Sequence, residues 1–184
     1  MSWEQRWTRL FADLELAFEA QERRVRDSEV ADRTRRDRAT IPLAARLGAQ
    51  RGARIEMRLL GALRVEGRLV DMGTDWIAVA AGAARAFVIP TAAVVSVGGL
   101  SRRTELASPA RRFGLGYALR EISRDRMPVT VTDVLGTAYE GTIDVVGKDH
   151  LDLAEHPVDE ARRTPNVRAI RTIPFAGLAC VQTG

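Results

Sequence analysis

The sequence predicts a mainly β protein with helices (α+β), built as two duplicated five-stranded small barrels, each preceded by a short helix, behind a long N-terminal helix. Three observations carry this. "VEGRLVDMGTDWIAVA", ending at Ala80, and "YEGTIDVVGKDHLDLA", ending at Ala154, repeat a Glu-Gly, an apolar strand, a second Gly, an Asp and another apolar strand. Past Ala53 the apolar residues change from helical spacing to alternation, the period of a half-buried strand. "IPTAAVVSV" and "IPFAGLACV" then close the two copies alike, after one insertion ("EHPVDEARRTPNVR") of the kind a duplicated domain tolerates in a loop.

Residues 1–40 are read as the N-terminal helix. Trp3, Trp7, Leu10, Leu14 and Ala17, with Phe11 and Phe18 alongside, form an amphipathic stripe that Ser2 can cap. From Glu19 to Arg38 only Val25 and Val30 are large and apolar, and the absence of Gly and Pro lets a solvated helix continue. Pro42 disfavours helix at Ile41 and suits the first turn of a new helix, "PLAARLGAQR", so the first barrel spans 41–99. Ile55, Met57 and Leu59 alternate with Arg54, Glu56 and Arg58, and Val65 and Leu69 with Arg64, Glu66 and Arg68, which gives a hairpin about "LGA". Pairing of opposite charges favours the register that sets Arg58 against Glu66 and Glu56 against Arg68. "DWIAVA", "RAFVI" and "AVVSV" complete five strands. An Arg-rich linker spans 100–112, and the second barrel, opening with the helix "FGLGYALREISRD", spans 113–184. The copies are expected to pack together, because each alone is near the size where a core is marginal and leaves edge strands to protect.

The glycines have separate tasks in this reading. Gly67 and Gly141 fall at inward positions of bent second strands, where a side chain would meet the opposite wall. Gly73 and Gly147 precede an Asp at a tight turn, where a positive φ is expected.

Charge excludes little. The net charge is +4 with 28 basic residues, all Arg except Lys148, a bias that fits a GC-rich genome better than a basic footprint. Cys180, the only cysteine, lies in an apolar run and reads as a buried thiol in a reducing cytoplasm. No secretory signal pattern or membrane-length apolar run is present, so the expected location is cytoplasmic, with no membrane partner. "KDHLDLAEH" gathers Asp149, His150, Asp152, Glu155 and His156, but without a Cys or a helical His pair it reads as a solvated strand and loop, and no metal is assigned. No Ser–His or Cys–His arrangement and no phosphate-binding glycine loop appears, so neither a catalytic residue nor a cofactor is expected.

Two groups remain as candidates for contact with nucleic acid. Arg102, Arg103, Arg111 and Arg112 lie close together in the linker, where they read either as a solvated tether or as a phosphate-contacting patch. Trp76, on the outward face of its strand, is placed either to stack on a base or to pack under the N-terminal helix.

A helix followed by five strands, with a Gly in a bent second strand and a short turn before the fifth, resembles the Sm-like fold of the SH3-like small-barrel group over Pro42–Gly99 and Phe113–Gln182. The arrangement is also similar to uncharacterised proteins of high-GC Gram-positive bacteria, some labelled Fis-type regulators, although this sequence has no helix-turn-helix. The resemblance implies ring assembly through the fourth and fifth strands and RNA binding. The residues that bind RNA in such proteins have no counterparts in "GTDWI", "GKDHL", "IPTAA" or "IPFAG". Two functions are thus expected: a non-enzymatic binder of RNA or other nucleic acid, or a protein-interaction scaffold whose N-terminal helix recruits itself or another protein.

Overall fold

A computed structural model describes residues 21–22, 24, 26–29, 32–105 and 112–184. The chain divides between Pro42 and Leu43 into two units. In the first, residues 32–39 are helical and mostly exposed, with the i,i+3 and i,i+4 ion pairs Asp32–Arg35 and Glu22–Arg26. The stripe from Trp3 to Phe18 lies outside the described residues, as do Val25 and Val30.

The second unit opens with α1 (Leu43–Gly48) and five strands: β1 (Arg54–Leu59), β2 (Arg64–Met72), β3 (Trp76–Ala81), β4 (Arg85–Pro90) and β5 (Val94–Gly98). Then come α2 (Leu115–Asp125), β6 (Val129–Asp133), β7 (Ala138–Val146), β8 (His150–Glu155), β9 (Ala169–Pro174) and β10 (Leu178–Thr183). The expectation of two separate barrels is overturned. All ten strands form one sheet in the order β5-β1-β2-β3-β4-β10-β6-β7-β8-β9, with every pairing antiparallel. Among the described residues no long N-terminal helix is found either: 32–39 is the longest run of helical backbone before α1, and residues 1–20, 23, 25, 30 and 31 lie outside them.

The halves do repeat. Each has five strands in the same order, and β4 joins β10 through Val88↔Val181, Phe87↔Gln182 and Ala86↔Thr183. The ladders β2–β3 and β7–β8 slip by one residue at equivalent places, past Leu69 and past Ile143. Such bulges bend a strand and sharpen its twist. The extra residue in β7, Asp144, accepts two hydrogen bonds from Arg162, at 2.6 and 2.5 Å. At the start of the β6–β7 turn, Asp133 accepts from the Thr137 and Leu135 N–H groups and the Tyr139 hydroxyl; these bonds, the Thr137 N–H foremost, hold its carboxyl below the usual range against the opposing effect of burial.

Two apolar clusters fill the unit, and the halves exchange residues between them. Leu47, Ile55, Met57, Leu69, Ile77 and Ile89 pack with Cys180 of β10. Leu119, Val131, Ile143, Leu151 and Leu153 pack with Trp76 of β3. Burial pushes the Cys180 thiol up, against an opposing hydrogen bond with Thr132. A thiol-labelling reagent at neutral pH should therefore modify the native chain far more slowly than the urea-unfolded one. Equal rates by mass spectrometry would contradict the placement.

The first hairpin adopts the register that sequence reasoning rejected. Arg58 faces Arg64, Glu56 faces Glu66 and Arg54 faces Arg68. A shift of two residues leaves every side chain on the same face, so burial is indifferent to the choice and the turn decides it. The short 3-10 turn Leu60–Ala62, with Gly61 at φ 73° and Ala62 at φ 60°, lets the Leu59 N–H reach the Leu63 carbonyl and so seats Arg58 opposite Arg64. The charges then pair diagonally, Arg54 with Glu66 and Arg64 with Glu56, each at 3.0 Å.

Candidate nucleic-acid interface

Leu115, Ala118, Leu119 and Ile122 recur at helical spacing and give α2 one apolar face, which packs into the second cluster. The residue ahead of the helix is Gly114, which has no side chain to cap it. The cap comes from the other half: Asp75 Oδ1 accepts from the Leu115 N–H at 2.7 Å. Trp76 adds a second tie, its Nε1 donating to the Phe113 carbonyl at 3.0 Å. These two bonds fix where the helix begins, and therefore where Phe113 stands.

Phe113 and Tyr117 are four residues apart, so one turn brings them together. Their rings stack with centroids 4.3 Å apart at 18°, and both remain largely exposed, at 48% and 39%. They line an open groove of about 540 Å³ with Phe175, Arg112, Arg120 and Lys148. The groove also contains Asp75, already engaged by the Leu115 N–H and the Thr74 hydroxyl. Three cations thus stand against one carboxylate, and among the described residues none of the three cations forms an ion pair. Flat apolar faces beside unpaired cations suit stacked bases and phosphate oxygens.

A second open groove, of about 490 Å³, lies over the first hairpin and is lined by Arg54, Arg68 and Arg85 with Glu66. Arg54 is paired with Glu66, while Arg68 and Arg85 make no ion pair among the described residues. This groove has charge but no aromatic.

The residues singled out from sequence scatter. Arg112 reaches the aromatic groove, Arg102 and Arg103 are exposed at the start of the linker, and Arg111 lies outside the described residues. Trp76 is 5% exposed and belongs to the second apolar cluster, so it is not a stacking surface. His156 is not solvated as expected: it is buried between the Thr142 hydroxyl and the Pro157 carbonyl. His150 hydrogen-bonds Asp149, and the described residues contain no cluster of three metal-ligating groups. Gly73 and Gly147 do not have the expected positive φ; a Cβ there would strike the rings of Trp76 and His150, which fold back over them. Sequence reasoning missed Phe113, Tyr117, Arg120 and Lys148. The signal available was "FGLGYALR", with its aromatic pair four apart and an arginine one turn on.

No protein-family model matches this chain, and no curated protein does. The resemblance to Sm-like proteins therefore rests on strand pattern and glycines alone.

Proposed function

We propose that this protein is a non-enzymatic nucleic-acid-binding protein that takes single-stranded RNA into the groove at the start of α2. The observation that carries the reading is the exposed Phe113–Tyr117 stack set among Arg112, Arg120 and Lys148, none of them ion-paired among the described residues. Single-stranded RNA offers what such a groove can hold: unstacked bases for the rings and a phosphate chain for the cations.

A fluorescence-polarisation titration with a labelled single-stranded RNA at two salt concentrations tests this. Phe113→Ala with Tyr117→Ala should weaken binding by about 1–3 kcal/mol per stacked base lost. Arg112→Gln, Arg120→Gln and Lys148→Gln together should flatten the salt dependence by about two in slope, as expected for three lost phosphate contacts. The triple variant Arg54→Gln, Arg68→Gln and Arg85→Gln should change little. If that variant abolished binding while the aromatic pair proved dispensable, the interface would lie over the hairpin.

A further inference from the structure

The two halves differ in the link between their third and fourth strands. In the first half β3 passes to β4 through residues 82–84; in the second β8 passes to β9 through residues 156–168. The longer link lies on the sheet. The His156 N–H donates to the Glu140 carbonyl at 3.0 Å, carrying the β7–β8 ladder past Gly141↔Glu155, and the buried ring has Nε2 2.8 Å from the Thr142 hydroxyl. Arg162 ties the link to Asp144, and Val158 and Asp159 share an open groove with Pro128, just ahead of β6.

The offset that aligns Gly67 with Gly141 sets Arg54 against Pro128, Arg68 against Thr142, Ala80 against Ala154 and Gly82 against His156. Residues 82–84 give the first half no comparable cover. Thr142, Ala154 and His156 are buried, at 1%, 0% and 2%, whereas Arg68 and Gly82 are exposed and Ala80 is half-buried. The β2–β3 ladder starts only at Arg68↔Ala80, and the groove of about 490 Å³ lies at this uncovered end. We infer that the groove docks an extended acidic peptide of a partner protein, along the course that residues 156–160 take over the second half.

Charge and shape select that occupant. The sheet sets Arg54 directly opposite Arg68, a destabilising pairing of like charges that a carboxylate between them would reverse, and Arg85 lines the same groove. Against these three stands one acid, Glu66, already paired with Arg54. Gly67, Ala80 and Ala81 add little side-chain bulk, so a main chain can come close. The link over the second half is itself acidic, "EHPVDE", and a chain laid the same way over the first would carry the equivalent of Asp159 to Arg54. Peptides that extend a sheet take affinity from main-chain bonds and specificity from side-chain sites, here the arginines. The groove has no aromatic on which a base could stack, and the inference is independent of RNA binding at α2.

A fluorescein-labelled peptide AEHPVDEA, the sequence of residues 154–161, titrated with the full chain at low salt, tests this by fluorescence polarisation. It should bind, and AQHPVNQA, with every acid made an amide, should not. Arg68→Gln with Arg85→Gln should weaken binding about tenfold through the loss of two charge-assisted contacts. The thermal midpoint of that variant should be unchanged, because both side chains are exposed and neither forms an ion pair among the described residues. Glu66→Gln, which frees Arg54, should strengthen binding several-fold. No binding of AEHPVDEA, equal binding of AQHPVNQA, or undiminished binding by the double arginine variant would overturn the inference. So would loss of single-stranded RNA binding in that variant, which would give the groove to nucleic acid.

Discussion

Trp76→Ala should cost about 3–5 kcal/mol in chemical denaturation, the range for truncating a buried aromatic. The ring belongs in sequence to the first half but is 5% exposed within the apolar cluster of the second, across from Pro90 on β4 and folded over Gly73. Its loss opens a cavity between α2 and β3 and removes the donor to the Phe113 carbonyl. Trp76→Phe keeps much of the volume and loses the hydrogen bond, so it should cost less. Because Cys180 and Trp76 place each half's residue in the other's core, both variants should unfold in one transition followed by two probes. Separate transitions would show that the halves fold as independent units.

Gly141→Val should cost about 1–3 kcal/mol, the range for overpacking a filled site. A Cβ at Gly141 would lie within 3.0 Å of the Ala154 carbonyl, on the backbone of the paired strand β8. The obstacle is main chain rather than a side chain able to turn away, so Gly141→Ala should already be destabilising. Gly67 meets the Ala80 carbonyl in the same way and should respond alike. Gly177→Ala is the control: a Cβ there has nothing within 4 Å and should leave the denaturation midpoint unchanged. Equal midpoints for Gly141→Ala and wild type would mean that β7 and β8 can separate without cost.

Strand positions were legible because alternation and repeat fix which residues point into a core, but at Gly67 and Gly141 the expected obstacle was the opposite wall, whereas a Cβ there meets the backbone of the adjacent paired strand. Ile77, Val79, Leu151 and Leu153 are fully buried, as that pattern requires. What alternation does not encode is where a strand's outer backbone groups find partners. "RAFVI" and "LACV" read the same whether each ends a separate barrel or the two pair, so the single sheet was invisible. The same limit misplaced Trp76. It does point away from its own half's core, but in a joined sheet that direction leads into the core of the other half. The aromatic groove escaped because it needs Lys148, from the β7–β8 turn, beside residues of α2 about thirty positions earlier, a proximity that only the folded sheet creates.

The β4–β10 junction also sets an order of events during synthesis. β10 is the last of the ten strands to leave the ribosome, yet it lies between β4 and β6 near the middle of the sheet. A nascent chain that has released β9 but not β10 has two finished ladders with facing bare edges and no strand to bridge them. Chains grow far more slowly than hairpins close, so this half-joined state persists for many hairpin lifetimes on every ribosome that makes the protein. Until β10 is in place, β4 is free to pair with a neighbouring chain, which makes that interval the point of greatest exposure to misassembly.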